Sequence, residues 1–218
     1  MLTILLPVSR RPLHISPFSS TTNQASSVNI SDSDPLPEQF RGLMRLLTHP
    51  VVVLTAHDGT HPRAMAMSSF TSLALAPTPL VTFNIASPSR TLDAIKHGAG
   101  SFNVHILSAD QRGADVADNF TRGSGDHVFD GVEHRDAGDG SPPVLEGEGV
   151  LYVLRCRLAR EDAPGSGALL RVRDHTIVVA EVMDMIPGAA GGRDLGFGLA
   201  YADRRYRRVG DAIKKHDT

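Results

Sequence analysis

The sequence predicts a mainly β protein with a few helices, built as a small closed barrel with helical decoration and not as a parallel doubly wound sheet. Three observations carry that expectation. Short β-branched and apolar runs recur at residues 51–56, 63–70, 80–85, 102–107, 152–158 and 176–185. Only two or three segments of helical spacing fall among them. The first two runs flank Asp58-Gly59, a hairpin turn signal.

Taken in order, Asp34-Pro35-Leu36-Pro37 closes an N-terminal tail. Phe40, Leu43, Met44 and Leu47 then stand at i, i+3, i+4 and i+7, one apolar face of a short helix ending before Pro50. The hairpin 51–56/63–70 follows, then the strand 80–85. Ser89 is placed to cap a helix over 90–97. A strand over 102–107 and a helix over 109–120 come next. Residues 121–148 are polar and rich in glycine and proline, a long loop of the kind that is usually functional or mobile. Two further strands complete the set, and no internal repeat is found. The expected organisation is a targeting or disordered segment over 1–36, one domain over 37–210 and a short tail over 211–218.

The 218 residues suffice for one domain with a sizeable core. Apolar and charged fractions of 41% and 21% are those of an ordinary soluble protein. A net charge of −2 argues against a nucleic-acid or anionic-membrane surface. No stretch approaches the ~20 apolar residues of a membrane span. Cys156 is the single cysteine, which excludes an internal disulfide; beside the apolar run 150–154 it reads as a buried, inert thiol. Before Asp32 the chain carries Arg10 and Arg11, many serines and threonines, and no acid. That pattern resembles an organelle transit peptide and predicts a mitochondrial location, with the cytoplasm as the alternative.

Some apparent sites fall away. His57 and His61 have the HxxxH spacing, but a tight turn separates them, so they share no helix face and no metal is expected. The glycines at 188, 191, 192, 196 and 198 form no GxGxxG, and no GxSxG elbow occurs.

The informative stretch runs from Pro62 to Thr91: PRAMAMSSFTSLALAPTPLVTFNIASPSRT. Each of its two strands ends in small hydroxyl residues, Ser68, Ser69, Thr71 and Ser72 after the first, Ser87, Ser89 and Thr91 beyond Asn84 in the second. A flavin ring wants apolar contact plus amide donors at its polar edge, and its phosphate wants hydroxyls, backbone N–H groups and a cation. Ser89-Arg90-Thr91 at a helix N-terminus offers all three, although a serine there is by itself more often just a cap.

This run resembles the signature of the flavin reductase-like, FMN-binding split-barrel family, whose members carry a serine-rich block ending in P-P-L-V and then a phosphate-binding S-R-T/S. The resemblance extends through residues 102–107, 117–120 and 174–182 to Tyr201 and Tyr206, and so covers roughly 38–208. It implies a split β-barrel of Greek-key type, FMN or FAD as cofactor and NAD(P)H as co-substrate. It implies that Pro62, Arg63, Ala64, Met65, Ala66, Ser68 and Ser69 line the ring and ribityl chain, largely through backbone atoms. Asn84, Ile85, Ala86, Ser87, Pro88, Ser89 and Arg90 would wrap the ribityl and phosphate, with Thr91 capping the phosphate helix and Thr121 and Arg122 as a second short contact. Arg173, Asp174, His175 and Thr176 match the place where the family receives the nicotinamide nucleotide. A homodimer with flavin near the interface and a monooxygenase partner are also implied.

Two departures stand out. Arg173 replaces a usual glycine, and Ala64 replaces another. Glycine would allow positive φ and close approach of a dinucleotide. Arginine instead offers a planar fork to a phosphate, such as the 2′-phosphate of NADPH, or else is a surface residue that weakens nicotinamide binding. In the implied reaction the flavin carries the chemistry and the protein orients it, so no catalytic nucleophile or base is expected. The rival readings are a flavin- or haem-binding split barrel without nicotinamide activity, and an oxidase of the pyridoxamine-phosphate type.

Overall fold

Strand β2 (Val52–His57) is buried on both faces along its whole length, which explains why it reads as an unbroken apolar run without alternation. It lies between two cores. One fills the barrel interior, where Leu54, Phe83, Phe102, Leu154 and Val178 meet Leu92 and Ile95 of a plugging helix; Phe83 and Phe102 pack edge-on with centroids 5.6 Å apart. The other lies outside the sheet, where Val53, Leu107 and Val153 are covered by Ala117, Phe120, Phe129 and Leu145.

The computed structural model describes residues 30–121, 128–136, 138–160, 167–190 and 196–213. Three helices occur among them, α1 (Leu36–Met44), α2 (Arg90–His97) and α3 (Gln111–Asn119). The remaining longer strands are β3 (Pro62–Met67), β4 (Thr71–Ala74), β5 (Leu80–Ala86), β6 (Ser101–Leu107), β9 (Val150–Leu158), β10 (Leu169–Val172) and β11 (His175–Pro187). With β2 they form one antiparallel sheet in the order β3-β2-β6-β9-β11-β5-β4, β10 pairing β11 as its hairpin partner. Short strands β1 (His49–Pro50), β12 (Ala200–Ala202) and β13 (Arg205–Arg207) make a separate three-stranded sheet, and β7 (His134–Arg135) pairs β8 (Val144–Leu145). No described helix is long and apolar enough to cross a membrane.

Strand β11 turns the barrel's corner. Its first half pairs β5, its second half pairs β9, and a register shift between Val182 and Asp184 marks the bend. The expectation of a closed barrel needs correcting: among the described residues no ladder joins β3 to β4. The Ala66 N–H on the free edge of β3 donates to Phe120 O (3.2 Å) at the end of α3 instead. The strand expected over 63–70 stops at Met67, because Ser68 and Ser69 carry the chain across this split into β4.

The α1 helix forms, with Glu38 in its first turn, but it ends at Met44, short of Leu47, and its apolar face is exposed: Phe40 and Leu43 are 59% and 50% accessible. The loop expected over 121–148 contains the β7–β8 pair, and Val128, Phe129 and Leu145 within it are buried as the lid of the outer core.

Candidate active site

The split between the two sheet edges organises the candidate residues. At one end Ser69 Oγ both donates to Asn84 O and accepts from Asn84 N–H, each at 3.1 Å, so a side chain stands in for a missing rung of the ladder. At the other end Arg63 and Arg90 line one cavity together with His61 and His97. Segments 62–69 and 84–90 therefore face each other at both ends and run alongside a slot.

Along the first wall, Met65 and Ala66 are half-buried and Ser68 is exposed, while Ala64 is fully buried in the outer core. The Arg63 side chain turns back to the β2–β3 hairpin, where its Nε lies 3.1 Å from Asp58 Oδ2. Asp58 also accepts from the His61 and Thr60 amides, and these contacts, His61 foremost, hold its carboxyl down at about 2. This turn is the one Asp58-Gly59 announces; Gly59 takes φ +93°, a conformation strained for other residues.

Along the second wall Asn84 and Ala86 are exposed at the edge of β5, which β4 has left by Thr82, and Ile85 points into the core. Ser87 and Pro88, joined by a cis peptide, lead into α2. Ser89 Oγ caps that helix by accepting from Leu92 N–H (3.2 Å), and Asp93 N–H goes to Ser89 O. The Arg90 and Thr91 amides stay at the helix N-terminus, where the dipole favours an anion. The Arg90 side chain is exposed and makes no ion pair among the described residues, whereas Thr91 is buried.

The late block joins this slot through the sheet. His175 pairs Ala86, Thr176 pairs Ile85, and Ser87 N–H donates to Asp174 O (2.6 Å), so residues some ninety positions apart become neighbours. Asp174 Oδ1 lies 3.0 Å from His175 Nδ1, and that contact lowers the Asp174 carboxyl. Arg173, Asp174 and His175 are exposed and Thr176 is buried. Arg173 adopts φ +54° in the two-residue loop between β10 and β11, the first central position of a hairpin turn where glycine is favoured. Thr121, after α3, is exposed, with its hydroxyl on Asp118 O (2.8 Å). Arg122 lies outside the described residues.

A second cavity, of about 400 Å³, opens beside Ala66, Ser68 and Thr121 and has Tyr201, Arg204, Arg205 and Tyr206 on its other side. Sequence reasoning did not place the two arginines there. The one signal for them was the neighbouring pair Tyr201 and Tyr206. Nor did it single out His105, which is buried with Nδ1 on Val53 O (3.1 Å) and Nε2 accepting from Leu145 N–H (3.0 Å).

A family model described as flavin reductase like domain matches residues 44–210. The chain belongs to this family. It is 34% identical over 145 residues to the FMN reductase (NADH) SmoA of Agrobacterium fabrum, a match covering 66% of this chain and 73% of that one. It is 33% identical over 143 residues to the NADH:FMN oxidoreductase of Rhodococcus erythropolis, covering 66% and 67%. Among solved structures, the NADH:FAD oxidoreductase SgcE6 of Streptomyces globisporus matches with a TM-score of 0.63 at 26% identity, over 84% of this chain and 98% of that one. BorF, the flavin reductase component of a bacterial two-component tryptophan halogenase, matches at 0.61 and 27% identity, over 81% and 99%. The fold of this flavin reductase family member is thus the split barrel, mainly β with helices, that the resemblance implied.

Proposed function

We propose that this protein is an NAD(P)H-dependent flavin oxidoreductase that holds FMN or FAD in the slot between β3 and β5. The observation that carries the reading is the slot itself. It is bordered by the exposed strand edge at Asn84 and Ala86 and ends at a capped helix N-terminus, beside an arginine with no partner among the described residues. The free amides of Arg90 and Thr91 and the Arg90 guanidinium suit a phosphate, and Met65 and Ala66 offer apolar contact to a ring. When bound, the flavin supplies the ring that accepts the hydride. The chain's part is to orient: Ser69 pins the two walls, Ser89 fixes the helix, and Asp174 holds the His175 imidazole where a nicotinamide nucleotide would lie. Anaerobic mixing of the purified protein with FMN and NADH or NADPH should bleach the oxidised flavin band. If neither donor bleaches it, the reading of a binding protein without nicotinamide activity takes over.

Four finer proposals accompany this one. The family match supports 37–210 as one domain with tails at either side. A homodimer is supported by the exposed apolar side chains of α1 and by Leu170, Val172, Met183 and Met185 on β10 and β11; light scattering at micromolar concentration should give twice the chain mass. The acid-free N-terminal segment supports mitochondrial import, and a fluorescent fusion of residues 1–33 that stays diffuse in the cytosol would count against it. A partner monooxygenase would take the reduced flavin.

A further inference from the structure

The cavity of about 400 Å³ beside the slot has the C-terminal hairpin β12–β13 as its far wall. That hairpin is firmly held. Tyr206 donates its hydroxyl to Asp118 Oδ1 on α3 (2.8 Å), Tyr201 packs edge-on against Tyr206 with centroids 5.8 Å apart, and Asp203 N–H donates to Arg45 O. Among the described residues Asp118 is the only acid lining the cavity, and its carboxylate is engaged by Tyr206. Arg204 and Arg205, by contrast, make no ion pair and no side-chain hydrogen bond among the described residues. Arg204 also sits where glycine would be more stable: Asp203 and Arg204, the two loop residues, take φ +48° and +59°. Two guanidinium groups without a partner among the described residues thus face a cavity that shares Ala66 and Ser68 with the flavin slot.

We infer that Arg204 and Arg205 grip the diphosphate of the hydride donor, an inference that rests on the flavin-reductase reading. A nicotinamide laid against a ring in the slot carries its diphosphate one nucleoside length away, and this cavity adjoins the slot. Planar arginine forks match phosphate oxygens in pairs, and one acid already bonded to a tyrosine leaves the cavity net positive. His175, which pairs Ala86 on the second wall of the slot, is left to face the nicotinamide half.

The test uses the full chain with saturating FMN, comparing wild type with Arg204→Gly, Arg205→Gln and the double variant. Each substitution should raise KM for NADH on the order of tenfold while kcat and FMN affinity hold. ADP, which carries the diphosphate without the nicotinamide, should compete with NADH in wild type and lose its inhibition in the double variant. Arg204→Gly should melt no lower than wild type, since glycine suits that turn, so weakened donor binding would not reflect misfolding. Unchanged KM in both single variants overturns the inference, and so does FMN affinity falling in step with KM. Should wild type reduce no flavin, the underlying reading has failed. Calorimetry of ADP with wild type and the double variant then still decides whether the arginines bind a diphosphate.

Discussion

Lowering the pH from 7 to 5 should remove about 2 kcal/mol of stability through His105 alone. The imidazole is fully buried on the outer face of β6, and burial pushes its pKa down from 6.5 to about 4, against the opposing pull of Val53 O. Its bonds fix the tautomer: Nδ1–H donates to Val53 O and Nε2 accepts from Leu145 N–H. A proton on Nε2 would set one donor against another. Because the folded pKa lies below the unfolded one, the unfolded chain binds the extra proton first. Stability is therefore complete above pH 6.5, declines as the pH falls through the window from 6.5 to about 4, and levels off below it. At pH 5 the two states differ by about 1.5 protonation decades, which at ~1.36 kcal/mol each gives the figure above. For a chain of this size that corresponds to a fall in Tm of roughly 4–8 °C. Differential scanning calorimetry at pH 7 and pH 5 would measure it. His105→Gln, which cannot titrate, should start lower by about 1–3 kcal/mol at pH 7 and lose most of the pH 5 drop. If the variant falls as far as wild type between those pH values, His105 is not the group responsible. The lowered carboxyls do not confuse the test; Asp58, held at about 2, loses its contribution only as the pH falls from about 3.8 toward that value.

Other expectations follow from the slot and the core. Arg90→Ala should weaken FMN by about 1.5–3 kcal/mol and leave riboflavin almost unaffected, as fluorescence titrations of both would show; equal weakening would make Arg90 structural. Arg173→Gly should relieve the positive φ and raise Tm by a few degrees. If the guanidinium binds a donor phosphate, the same change shifts the NADPH/NADH ratio of kcat/KM by roughly 10- to 150-fold, whereas equal gains with both donors would mean it merely obstructs. His175→Ala should lower activity with both donors and leave flavin affinity nearly unchanged. Cys156, whose thiol burial pushes up to about 12, should stay unreactive toward a disulfide reagent until the protein unfolds.

The sequence made the long elements readable because each carries its own period or cap. Helix α2 falls on 90–97 as expected, since Ser89 supplies a cap and Leu92, Ala94 and Ile95 supply the buried face. The meeting of Asn84–Ser87 with Asp174–Thr176 follows from the ladder of β5 with β11 and has no local signature. Short strands were missed for a related reason. Strands β1, β7, β8, β12 and β13 have two or three residues each, too few to show alternation, and exist because neighbouring backbone pairs with them. Phe129 and Leu145 were hidden in a polar loop because a lid over a core needs only isolated apolar anchors.

The clamp of Ser69 on Asn84 bears on how such a site can vary between relatives. It is made of one hydroxyl and a main-chain amide and carbonyl, so the residue at 84 is free to change while the bond persists. The same holds where Ser87 N–H meets Asp174 O and where Ala66 N–H meets Phe120 O. A cleft held open by peptide groups depends on the course of the chain and far less on the identity of its side chains. Chains alike at only about a quarter of their positions can then share this scaffold.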